Sequence, residues 1–251
     1  RFALEKGYET VLTFGGAYSN HLIATAASAK MHGLNTIGIV RGTYAATSLT
    51  PTWQSCRDYG MELAFLSRED YERKTNVGFL ADISKKFEHP FIIPEGGANE
   101  QGRAGAASIA SLISSGYSHI CVSVGTGTTL IGLRNALPEI QAVLGFAPMK
   151  GGAYLEQEVQ QYLNRDKNWR LFDDWHFGGF GKHPQELLDF MNGFYQQHSI
   201  PLDVVYTGKM MAGLQALMKA DFFSPNARIL CIHTGGLQGN ESVADKLIYS
   251  V

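Results

Sequence analysis

The sequence of 251 residues has few cysteines and no surplus of charge of either sign. Its three cysteines, Cys56, Cys121 and Cys231, stand far apart without a CxxC pair. This spacing excludes a disulfide scaffold and a zinc ribbon. Lys and Arg number 21 against 23 Asp and Glu, a formal net charge of -2. We therefore expect no nucleic-acid partner, because no basic surplus is available to neutralise phosphates.

Long apolar runs and several catalytic motifs are also missing. Apolar stretches are interrupted before about 18 residues, so we expect no transmembrane helix and no membrane partner. The first residues, RFALEKGYET, are charged where a signal peptide needs an apolar run, which favours a cytoplasmic protein. The eight histidines show no HExxH spacing, and no GxSxG occurs. We therefore expect neither a metal site nor the nucleophile elbow of an α/β-hydrolase.

The sequence does contain a regular alternation of short β-branched runs with helix-length segments. Predicted strands cover residues 11–14, 36–40, 62–66, 91–93, 119–124, 141–146 and 228–232. Predicted helices include 22–31, 104–115, 154–163 and 184–197, and residues 165–183 are predicted to be a loop rich in aromatic residues and glycine. The alternation indicates an α/β fold with two domains that divide near residues 95–100. Each is expected to be an open, mostly parallel sheet flanked by helices, with a cleft between the two.

Four turns follow predicted strands and could bind a ligand: GGAYSNH (15–21), GGANEQG (96–102), GTGTT (125–129) and HTGG (233–236). In parallel sheets the carboxyl ends of the strands form the ligand crevice. GTGTT is the best phosphate cradle, because two glycines and three hydroxyls precede a helix. A Walker loop is excluded by the lack of GK[ST], and a dinucleotide fingerprint by Leu130. Two alternatives stay open: GTGTT as a plain turn, and Ser19 and Asn20 as helix caps.

The segments TFGGAYSNH, IPEGGANEQG, VGTGTTLIGL, VVYTGKMMAGL and HTGG occur in this order between residues 11 and 236. Together they resemble the pyridoxal-phosphate-dependent 1-aminocyclopropane-1-carboxylate deaminase / D-cysteine desulfhydrase family, which has the tryptophan-synthase-β-like fold (fold type II). The resemblance implies a small α/β domain of residues 7–95 and a large one of residues 1–6 and 96–251. It also implies pyridoxal 5′-phosphate in the cleft between them, a small amino-acid substrate and a homodimer.

The resemblance also implies roles for individual residues. Ser19 and Tyr206 would be catalytic, Asn20 would bond the 3′-oxygen of the cofactor, and Thr207 would contact the pyridine nitrogen. The phosphate loop would consist of Val124, Gly125, Thr126, Gly127, Thr128 and Thr129. The substrate would be bound by Ser19, Asn20, His21, Phe180 and Tyr206.

The sequence departs from the family pattern at three points. The Schiff-base lysine, which the family carries in a GNK-like turn roughly 20 residues before GGAYSN, is not found. Only fourteen residues precede Gly15, and Lys6 is expected to be solvated, so we expect this lysine upstream of Arg1. Thr207 stands where the cyclopropane deaminases have glutamate, and Phe180 where the family often has tyrosine.

Thr207 decides the expected reaction. A hydroxyl keeps the pyridine nitrogen protonated far less than a carboxylate does, which weakens the ring as an electron sink. Cyclopropane opening needs that sink more than β-elimination of sulfide does. We therefore expect D-cysteine desulfhydrase-like elimination to pyruvate, sulfide and ammonia. The alternatives are cyclopropane deamination to 2-oxobutanoate, or a catalytically silent relative that only binds the cofactor or an amino acid.

Overall fold

Eight strands pair into two separate parallel sheets in the computed structural model, which describes residues 1–42, 50–164 and 168–249. The chain divides into two compact units, Arg1–Gln101 and Gly102–Val251. Each unit contains one four-stranded sheet with helices packed against it. Among the described residues, no helix combines the length and apolar character that a bilayer crossing needs.

The first unit has the strand order β3-β2-β1-β4, and every neighbouring pair is parallel. Its strands are β1 (Thr10–Gly15), β2 (Asn35–Arg41), β3 (Met61–Leu66) and β4 (Phe91–Ile93). Its helices are α1 (Phe2–Glu5), α2 (Asn20–Met31), α3 (Pro51–Asp58), α4 (Arg68–Glu72) and α5 (Val77–Lys86), with short 3-10 turns at Arg73–Thr75 and Glu95–Gly97. Helix α6 (Glu100–Ala107) begins at the end of this unit and ends in the second.

Helix starts in the first unit are fixed by side chains that the sequence provides at the right places. Ser67 and Asn76 accept hydrogen bonds from backbone N–H groups three residues further on, at 3.0 Å each. Thr50 caps α3 and also donates its hydroxyl to the carbonyl of Ala17 over 2.7 Å. Since Ala17 belongs to the GGAYSNH turn, the cap of α3 holds that turn in place.

The second unit has the strand order β7-β6-β5-β8, again parallel throughout. Its strands are β5 (His119–Ser123), β6 (Ala142–Phe146), β7 (Trp169–Phe172) and β8 (Ile229–Cys231). Its helices are α7 (Thr128–Ala136), α8 (Ala153–Gln160), α9 (Gln185–His198) and α10 (Thr207–Lys219), with 3-10 segments at Ser108–Leu112 and Leu237–Lys246.

Both faces of the second sheet are covered. Ile120 and Val143 point into one core, with Leu130 of α7, whereas Cys121 and Leu144 point into the other. The strands are therefore apolar on both sides, which is the pattern of parallel sheets between helix layers. This arrangement confirms the α/β fold with parallel sheets that the sequence predicts.

Two predicted elements differ in the structure. Residues 104–115 form the end of α6 and a 3-10 segment rather than one helix. α6 packs so closely on α7 that a Cβ at Gly132 would lie 2.5 Å from the carbonyl oxygen of Arg103. The predicted loop 165–183 contains strand β7, because Trp169 to Phe172 pair with β6. Residues 165–167 of that prediction lie outside the described part of the chain.

The amino-terminal residues belong to the first unit of the structure. Ala3 is buried with Val11 and Ala29, and the ring of Phe2 lies 5.5 Å from that of Phe91. The resemblance instead groups residues 1–6 with the large domain. The structure differs there, because the side chains of Phe2 and Ala3 pack beside β1 and β4. The predicted domain limits 7–95 and 96–251 otherwise stay a prediction. The boundary between the two compact units of the structure lies between Gln101 and Gly102.

Candidate active site

The GTGTT turn lies between β5 and α7 in the second unit, at the carboxyl end of a central strand. Gly127 has a φ of 80°, and a Cβ there would lie 2.7 Å from Cγ2 of Val159. The hydroxyls of Thr126 and Thr128 are 3.0 Å apart. The N–H groups of a first helical turn have no acceptor within the helix, and the helix dipole favours an anion there. The turn therefore fits a phosphate group, and its left-handed backbone beside Val159 requires glycine at 127.

Tyr206 lies against this turn. A Cβ added to Gly125 would come within 3.4 Å of the Tyr206 hydroxyl oxygen. The ring of Phe180 packs edge-on against the ring of Tyr206, with centroids 5.5 Å apart and an interplanar angle of 84°. The fold of the second unit thus brings Gly125, Phe180 and Tyr206 together, as the resemblance implies.

Asp203 holds the backbone that carries Tyr206. Its Oδ1 accepts from the N–H groups of Val205 and Tyr206 over 3.0 and 2.7 Å. Its Oδ2 accepts from the N–H and the hydroxyl of Thr207 over 2.8 and 2.7 Å. Burial raises the pKa of the Asp203 carboxyl, while these hydrogen bonds oppose the shift. Asp203 fixes the start of α10 and therefore the position of the tyrosine.

Sequence reasoning missed Asp203. The available signal was an aspartate shortly before a helix start, a position where a side chain often accepts backbone N–H groups. The full extent of its role depends on burial, since Asp203 is only 1% exposed. A sequence does not show how deeply such a residue is buried.

Thr207 is fully buried, with 0% of its surface exposed. Its hydroxyl donates to Asp203 and also accepts from the Asp203 N–H over 2.8 Å. In the structure this hydroxyl therefore stabilises the turn before α10. Its contact with a pyridine nitrogen stays a prediction.

The other predicted site residues lie in the first unit, where β1 ends and α2 begins. Ser19 is the N-cap of α2, and its hydroxyl oxygen accepts from the N–H of Leu22 over 3.3 Å. Asn20 is the first residue of the helix and is half-buried, as is His21. The capping interpretation of Ser19 is confirmed, and the contacts of Ser19 and Asn20 with a ligand stay predictions.

The imidazole of His21 has a defined protonation state. Its Nε2 lies 2.7 Å from the Thr13 hydroxyl, which itself donates to the carbonyl of Ile93 over 2.8 Å. Because the only proton of that hydroxyl is used, His21 must donate from Nε2, which leaves Nδ1 as an acceptor. Burial lowers the pKa of His21 to about 4. His21 is therefore a neutral hydrogen-bond acceptor, and its ring lies 3.9 Å from where a Cβ of Gly97 would be.

The described residues hold no metal centre of the usual kind. In the ranges 1–42, 50–164 and 168–249, no group of three or more His, Cys, Asp or Glu side chains is arranged to hold a metal ion. The polar groups of the candidate residues are hydroxyls, an amide and a neutral imidazole, with a helix start in each unit. These groups suit an organic anion with several acceptor atoms.

Two parallel sheets and a glycine-threonine turn at a helix start define an α/β enzyme of fold type II, the class that includes several solved pyridoxal-phosphate enzymes. A solved O-acetylserine-dependent cystathionine β-synthase from Helicobacter pylori shares this fold, with a TM-score of 0.65 and 16% identity over 96% of this chain and 80% of the other. Residues 1–235 match the family described as pyridoxal-phosphate dependent enzyme, and the chain belongs to this family.

More similar relatives carry two activity names. A putative 1-aminocyclopropane-1-carboxylate deaminase of Pyrococcus horikoshii is 28% identical over 264 residues, which is 98% of this chain and 79% of the relative. A D-cysteine desulfhydrase of Salmonella newport is 27% identical over 260 residues, 93% of this chain and 78% of the relative. A solved deaminase homologue has a TM-score of 0.84 with 28% identity, covering 98% of this chain and 80% of that one. The family resemblance of the five motifs is confirmed.

Proposed function

We propose that this pyridoxal-phosphate enzyme converts D-cysteine and water into pyruvate, sulfide and ammonia. A closely related β-substituted alanine would give pyruvate, ammonia and its own β-substituent as the leaving group. Both the desulfhydrase and the deaminase relatives are close to 27% identical, so overall similarity does not separate the two reactions. The proposal depends on the chemistry of individual residues instead.

The residues present fit the cofactor. The cradle of Val124, Gly125, Thr126, Gly127, Thr128 and Thr129 would hold the phosphate through backbone N–H groups and threonine hydroxyls. The support is the left-handed backbone of Gly127, which leaves no room for a Cβ beside Val159. Asn20 would donate to the 3′-oxygen, and Thr207 would contact the pyridine nitrogen. Bound pyridoxal phosphate supplies an electron-withdrawing ring that makes the Cα proton of a bound amino acid acidic.

Several side chains would orient the substrate. Ser19 would bind its carboxylate through the hydroxyl, and His21 would accept a hydrogen bond at Nδ1 without adding charge. Tyr206 would bind the leaving sulfur through its phenolic hydroxyl, and the ring of Phe180 packs against the tyrosine ring. This neutral set suits expulsion of sulfide, because the negative charge leaves with the sulfur.

The observation that favours sulfide elimination is the absence of an available carboxylate at position 207. A threonine stands there, and the carboxylate beside it, Asp203, has both oxygens occupied by Val205, Tyr206 and Thr207. A ring nitrogen without a carboxylate partner is less firmly protonated, which weakens stabilisation of a carbanion. Cyclopropane deamination to 2-oxobutanoate is the second candidate, supported by the names of the Pyrococcus relatives.

The direct test is product analysis with the full-length protein loaded with pyridoxal phosphate. We expect a yellow protein whose visible absorption band is lost on borohydride reduction, and equal amounts of sulfide and pyruvate from D-cysteine. A colourless protein that takes up no cofactor, or one that releases no sulfide, would contradict the proposal. We also propose a cytoplasmic homodimer, which sedimentation and fractionation can check.

A further inference from the structure

Lys209 is a charged side chain in the interior of the second unit. It is the third residue of α10 and is only 2% exposed. Its ammonium donates to three backbone carbonyls: Gly179 at 2.7 Å, Pro148 at 3.2 Å and Phe180 at 3.2 Å. Since an ammonium has three donors, this set uses all of them. Lys209 therefore has no donor left over for a ligand.

The three carbonyls come from two separate loops. Pro148 follows β6, whereas Gly179 and Phe180 follow β7. One buried side chain thus ties both loops to α10 at the carboxyl end of the sheet. Burial lowers the pKa of Lys209 to about 8, and the negative charge of Asp203 opposes that shift.

The loop after β7 has an unusual backbone conformation. Phe177, Gly178 and Gly179 have φ values of 52°, 91° and 130°, so three successive residues are in left-handed or glycine-only regions. The carbonyl of Gly179 accepts two hydrogen bonds. One comes from the Lys182 N–H over 3.0 Å and the other from the ammonium of Lys209. A loop with such backbone geometry needs an external contact to keep one conformation, and Lys209 provides it.

The loop carries Phe180, the residue that packs on Tyr206. Phe180 is 48% exposed and touches the tyrosine edge-on. Tyr206 in turn lies against Gly125 of the phosphate cradle. A continuous series of contacts therefore runs from Lys209 through Phe180 and Tyr206 to the cradle.

We propose that Lys209 is a positioning residue for the substrate: it holds the loop of residues 176–182 so that Phe180 stays against Tyr206. The inference rests on the proposed function, in which Tyr206 faces the amino acid. Lys209 acts only through the loop and touches neither substrate nor cofactor.

The test compares Lys209→Met with Lys219→Met in the full-length, cofactor-loaded protein. Lys219 is the matched control, because it ends the same helix and its exposed ammonium donates to the Gln215 side chain over 3.0 Å. In Lys209→Met we expect faster amide exchange in residues 178–182 than in the parent protein. We also expect KM to be about tenfold higher than in the parent, which is the size of effect that loss of a charge-assisted hydrogen bond produces. Cofactor affinity should stay within about threefold of the parent value.

A double-mutant cycle distinguishes positioning from general loss of structure. Phe180→Ala alone should raise KM, and adding Lys209→Met to it should change KM little further, because both act on the same contact. Fully additive effects, or unchanged exchange in residues 178–182, would overturn the inference. If Lys209→Met does not fold, Phe180→Ala decides: an unchanged KM overturns the inference. A parent that turns over no amino acid contradicts the proposed function, while the exchange measurement still decides whether Lys209 holds the loop.

Discussion

The hydroxyl of Thr207 donates to Oδ2 of Asp203 over 2.7 Å, and both side chains are buried. The same hydroxyl accepts from the Asp203 N–H, so the two residues are joined in both directions. The pair fixes the first turn of α10, and Tyr206 lies inside the segment that it closes. A threonine predicted to contact a cofactor therefore also has a structural role that can be measured separately.

Removal of that hydroxyl should destabilise the protein. Thr207→Val keeps the shape of the side chain, but Oδ2 of Asp203 then accepts only from the N–H of residue 207, and the buried Asp203 N–H loses its acceptor. We expect a loss of about 1–3 kcal/mol in the free energy of unfolding. Thr207→Ser retains the hydroxyl and is the matched control. Urea denaturation measures both, and equal stability of the two variants would show that the Asp203–Thr207 pair contributes nothing.

Thr207→Glu does not test the electron-withdrawing role of the pyridine ring by itself, because the substitution also affects stability. Thr207→Glu would bring a second carboxylate beside buried Asp203, where two like charges are strongly unfavourable. We expect this variant to be less stable than Thr207→Val at pH 7. The stability difference should shrink in acid as one carboxyl becomes protonated, and denaturation curves at pH 7 and pH 5 would show it. A variant as stable as the parent at both values would contradict the expectation.

Gly127 and Gly151 form a matched pair for the phosphate cradle. Their φ values are 80° and 75°, but a Cβ at Gly127 would meet Val159, whereas at Gly151 it would meet nothing within 4 Å. Alanine at either position should cost about 1 kcal/mol for the left-handed backbone. Only Gly127→Ala should also weaken retention of pyridoxal phosphate, measured by fluorescence titration. Equal retention in both variants would mean that the GTGTT turn does not hold the phosphate.

His21 predicts a specific dependence of stability on pH. Its pKa is about 4 in the folded protein and 6.5 when unperturbed, so the folded state prefers the neutral imidazole. The resulting stability is complete above pH 6.5 and is lost as pH falls towards 4, by up to about 3 kcal/mol. His21→Gln keeps an N–H donor near Thr13 without a titrating ring. The slope of unfolding free energy between pH 6.5 and 4 should therefore be shallower in this variant.

The control for His21 is His32, which is exposed near the end of the same helix. The matched substitution is His32→Gln. A slope that responds equally to both substitutions would show that burial of His21 against Thr13 is not its cause.

The sequence allowed prediction of most strands and of the turn after β5, because these depend on local composition. The middle of β5, Ile120 to Val122, is apolar, and GTGTT follows one residue after the strand, so the sequence predicts strand, turn and helix start. β7 was not predicted, since Trp169 to Phe172 is a short run with a charge, and pairing with β6 determines its structure. The role of Asp203 depends on its burial. The role of Lys209 depends on burial and on partners 29 or more residues away, which no local pattern records.

The most direct test of the central claim is the ratio of two specificity constants in the full-length enzyme. One is kcat/KM for sulfide release from D-cysteine, and the other is kcat/KM for 2-oxobutanoate release from 1-aminocyclopropane-1-carboxylate. With Thr207 neutral and Asp203 committed to the turn, we expect the D-cysteine value to be higher by at least about tenfold. An equal or higher value for the cyclopropane acid would contradict this account and favour the deaminase reaction.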